Sequence, residues 1–256
     1  MKAGRIEEIK AFILENETVS LDELVERFGV TKYTIRRDVQ ELVDGGDFNK
    51  VYGGVSVNSS TSVTFNDRKS RSLTEKQGIA KFAANLVEEN DIIFIDSGTT
   101  TLGMLEHLKD IQLTVVTNNI DFVIDALPYE NLNVFSIGGM LERKTKSLTS
   151  IESKNAIKGY NITKAFLAST GVSIKNGVTN SFPIETELKA SVVEKSEEIF
   201  LLVDHNKFDK YSLTTYCELK EIDYIVTDKT PSKKYIQFAK ENDISLVVTE
   251  REKIKQ

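Results

Sequence analysis

An apolar run, Ile92-Ile93-Phe94-Ile95, ends in Asp96-Ser97-Gly98-Thr99-Thr100-Thr101. A strand-like segment that stops at an acid, a glycine and a group of hydroxyls can build an anion pocket. The buried strand anchors the loop, Gly98 lets a ligand reach the backbone, and N–H groups at the following helix start face a phosphate. The same residues also fit an ordinary strand-to-helix turn in which the hydroxyls only cap. Other strand-like runs end in similar chemistry: Thr117-Asn118-Asn119, Gly138-Gly139, Thr170-Gly171 and Asp204-His205-Asn206-Lys207-Phe208. Hydroxyls, amides, glycines and a lysine gathered this way suit a phosphorylated sugar or polyol. Asp96, Ser97, Gly98, Thr99, Thr100, Thr101, Asn118, Gly138 and Gly171 are the candidate contacts. Lys207 is the candidate counter-charge, because a cation with rotatable donors suits a phosphate already cradled by backbone N–H groups. Lys146, in the basic loop Arg143-Lys144-Thr145-Lys146, is a second. Glu185 and Lys189 stand one helical turn apart and either face the pocket or form a surface pair. His205 reads as structural.

The elements that must position these residues alternate along the chain. Strands are expected at Ile92–Asp96, Leu113–Thr117, Asn133–Ile137, Ala165–Ser169, Ile199–Val203, Tyr224–Thr227 and Ser245–Val248. Helices are expected at Thr100–Leu108, Asn119–Leu127, Ile184–Ser196 and Ser232–Glu241, with another carrying Ile79, Phe82, Ala83 and Leu86. Continuous apolar strands separated by helices imply an α/β fold with a mostly parallel sheet covered on both faces. In such folds ligands lie outside the carboxyl ends of the strands.

The first 57 residues follow a different rule. Ile6, Ile9, Phe12 and Ile13 recur at helical spacing, and after a break at residues 17–20 so do Leu21, Leu24, Val25 and Phe28. Ser20 is a cap for the second helix, Gly29-Val30-Thr31 makes a tight turn, and Thr31 caps a third helix running to about Val43. Two short helices joined through a glycine outline a helix-turn-helix. At about 100° per residue, Ile35, Val39, Leu42 and Val43 form the buried side of the third helix. Tyr33, Arg37 and Gln40 lie opposite, flanked by Thr34 and Arg36, with Lys32 in the first turn. Arg bridges two acceptors on guanine and Gln does so on adenine, so this face can read a DNA major groove. A two-stranded wing is expected next, with Gly45-Gly46 ending the helix, a strand from Phe48 to Tyr52, and Gly53-Gly54 supplying positive φ. Lys50 and Tyr52 can then touch the phosphate backbone. Residues 1–57 hold eight Lys and Arg against eleven Asp and Glu. Lys32, Arg36 and Arg37 fall close together beside a single acid, Asp38, which favours specific docking over loose sliding.

Composition narrows the classes. One cysteine, Cys217, excludes an internal disulfide and any CxxC site, and two distant histidines give no zinc constellation. No metal or cofactor is expected. The first residues lack the apolar core of a signal peptide and no run reaches membrane-spanning length, so a cytoplasmic protein with no membrane partner is expected. The chain divides into a DNA-binding domain at 1–57, a polar linker at 58–72 and an effector-binding and oligomerisation domain at 73–256. A hinge in the linker would let a bound ligand reposition the DNA-binding heads.

The runs Val19-Ser20-Leu21-Asp22-Glu23-Leu24, Phe28-Gly29-Val30-Thr31, Thr34-Ile35-Arg36-Arg37-Asp38-Val39 and Val51-Tyr52-Gly53-Gly54-Val55 resemble the N-terminal signature of the DeoR family of bacterial transcriptional regulators. The second half resembles the sensor domain of that family, which implies a fold similar to ribose-5-phosphate isomerase. Three stretches, 94–101, 164–171 and 202–208, look closest to the branch of the family that represses myo-inositol catabolism, which would imply a phosphorylated intermediate of inositol breakdown as inducer. The chain departs from the family pattern at residues 46–50, where Arg more often stands beside the wing, and at Ser150, near which the family often has Gly.

The resemblance and the residues together lead to a repressor that binds double-stranded operator DNA as a homo-oligomer, a dimer or tetramer, and is released by a phosphorylated sugar or polyol. The competing reading is a sugar-phosphate isomerase or deaminase fused to a DNA-binding domain, with Asp96, Glu185 and Asp204 as available acid–base groups. A pure protein-interaction module would explain neither the strand ends nor the third helix.

Overall fold

The computed structural model describes residues 2–16, 18–45, 48–57 and 65–249, in two compact units, Met1–Leu73 and Thr74–Gln256. Gly46 and residues 58–64 of the expected linker lie outside the described residues.

In the first unit, helix α1 (Lys2–Asn16) buries Ile6, Ile9, Ile13 and Leu14. Strand β1 (Thr18–Ser20) leads into α2 (Leu21–Phe28), whose first turn is closed by the Ser20 hydroxyl accepting from the Glu23 N–H at 3.1 Å. Gly29 ends α2 at φ 63°, a left-handed conformation that costs glycine nothing. Thr31 then caps α3 (Lys32–Asp44) by accepting from the Thr34 N–H at 3.3 Å. Leu24, Ile35, Val39, Phe48 and Val55 complete the core with α1.

The wing differs from expectation in two respects. Residues 18–20, expected as a break, form a strand: β1 pairs with β3 (Gly54–Val57), which also pairs with β2 (Phe48–Val51), giving the order β1-β3-β2. Of the two turn glycines only Gly53 has positive φ, at 73°. Gly54 is required for close approach instead, since a Cβ there would lie 2.4 Å from the Val19 carbonyl oxygen. Gly54→Ala is therefore expected to destabilise the first unit by about 1–3 kcal/mol. Thermal unfolding checks this, and a melting point equal to the parent's would refute the close β1–β3 contact. Within the expected linker, α4 (Phe65–Ser70) is helical, with Phe65 buried and Asp67 2.9 Å from Lys10 of α1.

The second unit opens with α5 (Leu73–Ala84), then β4 (Ile92–Ile95), the short α6 (Thr99–Leu102) and α7 (Leu105–Leu108), β5 (Leu113–Thr117), α8 (Ile120–Asp125) and β6 (Leu132–Ser136). A hairpin of β7 (Met140–Glu142) and β8 (Ser147–Thr149) and a short α9 (Ser153–Ile157) precede β9 (Ile162–Leu167). Then come β10 (Gly171–Ser173), β11 (Gly177–Asn180), α10 (Pro183–Lys195), β12 (Ser196–Leu202), β13 (Thr214–Cys217), β14 (Tyr224–Thr227), α11 (Lys233–Glu241) and β15 (Ser245–Val248). The expected strands form one seven-stranded sheet, order β15-β14-β12-β9-β4-β5-β6, in which every neighbouring pair is parallel. The small sheet β10-β11-β13 and the β7–β8 hairpin were not expected from the sequence.

Alternation sorts the strand residues onto two faces. Phe94, Val116, Leu167, Leu201 and Ile225 pack with Leu188 and Val192 of α10. The other face carries a stack of Phe166, Phe200 and Tyr224, with ring centroids 4.8 and 4.4 Å apart. From β4 the chain winds outward through β5 to β6, then returns to the opposite side of β4 as β9. In parallel sheets ligands bind beside such a reversal, which here falls at the carboxyl ends of β4 and β9.

Candidate functional sites: an exposed helix face and a strand-end polar cluster

The N-terminal surface is built on α3. Tyr33 is 77% exposed, and Arg36 and Arg37 are exposed with no ion pair among the described residues. Asp38, the acid beside them in sequence, is turned away: it is fully buried and receives the Arg5 Nε at 2.7 Å. The α3 arginines thus have no ion-pair partner among the described residues. Lys32 is partly offset by Asp22, its Nζ bonded to Oδ1. Gln40 is held from two sides, donating to Asp44 Oδ1 and accepting from Lys50 Nζ, so the wing lysine is tied to the helix. The hydroxyls of Thr31 and Thr34 lie 3.0 Å apart at the helix start. Tyr52 stands fully exposed at the wing turn.

In the second unit an ion pair at the carboxyl ends of β4 and β9 joins residues 93 positions apart in sequence. Lys189 Nζ on α10 lies 2.7 Å from Asp96 Oδ2, with both side chains buried. The same ammonium reaches the Ala168 carbonyl at 2.9 Å and Asn180 Oδ1 at 3.4 Å, and the Ala168 N–H donates to Asp96 Oδ2 at 2.9 Å. Tyr216, on β13, donates to the Ala168 carbonyl at 3.2 Å and places its ring 5.3 Å from the ammonium. Burial holds the Tyr216 hydroxyl protonated well above its ordinary range, and the Asp96 charge adds to this.

Glu185, one turn earlier on α10, is buried and accepts from Thr145 at 2.6 Å, from Ser147, and from Asn180 Nδ2 at 2.9 Å. It pins the β7–β8 hairpin over the sheet. Glu185 and Lys189 are therefore interior groups with separate partners, and the surface-pair alternative falls. Lys189 was named only through its four-residue spacing from Glu185, and Asn180 and Tyr216 were not among the candidates.

The loop after β4 is tied largely to itself. Thr101 Oγ1 donates to the Asp96 carbonyl at 2.7 Å and accepts from the Gly98 N–H at 3.1 Å. At Gly98 the close approach comes from the protein, since a Cβ there would lie 2.5 Å from Ala168 Cβ. Ser97 is buried and accepts from Asn118 Nδ2 at 3.4 Å. Thr100 is buried and Thr99 half-buried. Gly138 turns the chain after β6 at φ 71°. Gly171 is pressed against the Lys210 carbonyl, 2.6 Å from an added Cβ.

Two family descriptions cover most of this architecture. Residues 5–61 match the DeoR-like helix-turn-helix domain and residues 71–229 the DeoR C terminal sensor domain. The chain belongs to the DeoR family. It is 40% identical to the HTH-type transcriptional regulator IolR of Bacillus subtilis, over 96% of this chain and 99% of that one. It is 29% identical to a lactose phosphotransferase system repressor of Staphylococcus epidermidis, over 91% and 94%, and 25% identical to the HTH-type transcriptional repressor GlcR of Bacillus subtilis, over 97% and 96%. Among solved structures, ribose 5-phosphate isomerase A of Methanocaldococcus jannaschii aligns at 18% identity over 52% of this chain and 53% of that one, with a TM-score of 0.38, too low to add to the fold.

In this DeoR-family chain the remaining candidates fall in the loop after β12 and in the β7–β8 turn. Lys207 ends a one-turn helix, His205–Lys207, started by Asp204, and is half-buried. His205 is clamped structurally, as expected, with Nδ1 2.6 Å from Asp228 Oδ2 and Nε2 3.1 Å from Lys229 Nζ. Lys146, the second cation candidate, lies 2.7 Å from Asp121. Among the described residues no helix is long and apolar enough to cross a membrane.

Proposed function

We propose that the chain is a repressor of a carbohydrate or polyol catabolic operon, myo-inositol catabolism being the first candidate, and that a phosphorylated intermediate releases it from its operator. The observation that carries this is the α3 surface: Tyr33, Arg36 and Arg37 exposed on a helix capped at Thr31, with the nearby acid Asp38 buried. The partner for that surface is double-stranded operator DNA. The relatives' names, a lactose system repressor among them, support a sugar-linked signal. Release requires the effector to bind the DNA-incompetent state more tightly than the competent one.

The protein works in the cytoplasm as a homo-oligomer whose paired heads read symmetric half-sites. Exposed Ile124, Leu127, Phe135 and Met140, on and around the edge strand β6, support self-association. It binds its effector without converting it. Of the acids named for an isomerase, Glu185 is held by Thr145, Ser147 and Asn180, Asp96 through Oδ2 by Lys189, and Asp204 through Oδ1 by the Asn206 N–H. Turnover of a sugar phosphate by the purified chain would reverse this reading.

Gel shifts on the DNA upstream of the chain's own gene, with and without phosphorylated sugars, test the repressor. Operator binding indifferent to all of them would remove the effector. Lys207→Ala is expected to bind operator normally but to need about 10–100-fold more effector for release, the loss of a charge-assisted hydrogen bond. Unchanged release would take Lys207 out of the pocket.

A further inference from the structure

Among the described residues, five buried side-chain atoms have no hydrogen-bond partner: Asp38 Oδ1, Asp96 Oδ1, Asn118 Oδ1, Ser169 Oγ and Thr227 Oγ1. Buried polar atoms are nearly always paired, so each such atom calls for an explanation. Asp38 belongs to the first unit. The other four fall into one pattern. Phe94, Val116, Leu167 and Ile225 all lie on the α10 face of the parallel sheet. Asp96, Asn118, Ser169 and Thr227 each come two residues later along the same chain direction: Thr227 ends β14, the others lie just past β4, β5 and β9, and Lys189 of α10 holds Asp96. The orphan atoms therefore gather at the carboxyl edge of β5, β4, β9 and β14, across the reversal between β4 and β9.

Their chemistry is as specific as their placement. Asp96 Oδ1 and Asn118 Oδ1 accept hydrogen bonds and cannot donate them. The adjacent cation offers nothing to an anion, because the three N–H groups of Lys189 face Asp96 Oδ2, the Ala168 carbonyl and Asn180 Oδ1. An edge of acceptors beside a carboxylate repels phosphate oxygens and suits hydroxyl protons. Three neighbouring strands at about 4.8 Å spacing span roughly 10 Å, the scale of a six-carbon polyol with hydroxyls on successive carbons.

Building on the effector reading above, we propose that Asp96 Oδ1, Asn118 Oδ1 and Ser169 Oγ form the hydroxyl-reading subsite for the polyol body of the effector. The phosphate is left to the loops after β12 and β14, which carry Lys207 and Lys229. The Asp96–Lys189 pair is then a fixed frame that aims an acceptor, and selectivity for the sugar body is separate from affinity for the phosphate.

The test uses the full-length chain, calorimetric titration with myo-inositol, glucitol and the monophosphate of each, and ligand-free melting of the variants Asn118→Leu and Ser169→Ala. The wild type is expected to bind at least one monophosphate, and both variants to bind it about tenfold or more weakly, the loss of one buried hydrogen bond. The ligand-free melting point of Ser169→Ala should stay level or rise by about 2–4 °C, because an orphan polar atom has been removed. Asn118→Leu also removes the hydrogen bond to Ser97, so its binding is compared at a temperature well below its own ligand-free melting point. Variants that bind as the wild type does, or a Ser169→Ala chain that melts lower without ligand, overturn the subsite and make these residues structural. Bare polyols binding as well as their monophosphates would sink the phosphate part of the effector reading while leaving the subsite standing. A wild type indifferent to all four compounds overturns both.

Discussion

Arg37→Ala should abolish operator recognition while leaving the fold intact. Arg37 is exposed on the face of α3 opposite Ile35 and Val39 and has no ion pair among the described residues. Its removal leaves no buried hole and no stranded partner, so the cost to stability is within about 0.5 kcal/mol. An arginine bridging a guanine contributes about 1–3 kcal/mol of binding, and in a paired protein the loss occurs at each half-site. Operator affinity is therefore expected to fall by about 100- to 10,000-fold if both heads are engaged. Gel shifts beside thermal melts separate the two quantities. Unchanged DNA binding at a normal melting point would mean that another face of the domain reads DNA. The burial of Asp38 sharpens this expectation, because the arginine's charge is not offset by the acid next to it in sequence.

Lys189→Met should be among the most destabilising single changes in the second unit. The substitution keeps the length of the side chain but leaves Asp96, wholly buried, facing a thioether across the 2.7 Å that the ion pair now spans. Stranding a buried charge in this way costs about 3–5 kcal/mol. A urea titration that follows the second unit should show the midpoint falling with little change in slope. The double variant Lys189→Met with Asp96→Leu should recover part of the loss, since it removes the stranded charge but leaves the Ala168 N–H and Asn180 Oδ1 without these partners. A loss below about 1 kcal/mol in the single variant would mean that water reaches Asp96.

The two units differ in how much of them can be read from the chain. The helix-turn-helix rests on local rules. Ser20 and Thr31 cap within three residues of themselves, Gly29 takes its left-handed φ, and Ile35 and Val39 are one turn apart. The strand β1 was not legible, because three residues carry no periodicity and its partner β3 lies more than thirty positions on. In the second unit the strands of the parallel sheet stand out as apolar runs. The β7–β8 hairpin looked like a solvated basic loop, and nothing local says that Thr145 and Ser147 meet Glu185 some forty residues later. Gly98 and Gly171 were expected as effector contacts from the strand-end pattern, and the fold adds a packing requirement at each that no local signal shows, against Ala168 and Lys210.

By itself, the order of residues determined the element types, the parallel sheet, the capped recognition helix and the polar chemistry at the strand ends. Each depends on periodicity or on contacts within a helical turn. Only the tertiary structure decided which charges are already committed. Asp38 is taken by Arg5, Asp96 by Lys189, and Lys146 by Asp121, while Arg36 and Arg37 remain presented. The physical reason is that desolvation and ion pairing depend on distance in space. A carboxylate has the same chemistry anywhere in the sequence, and the fold sets whether its oxygens meet a cation, water or an unfilled position beside a ligand.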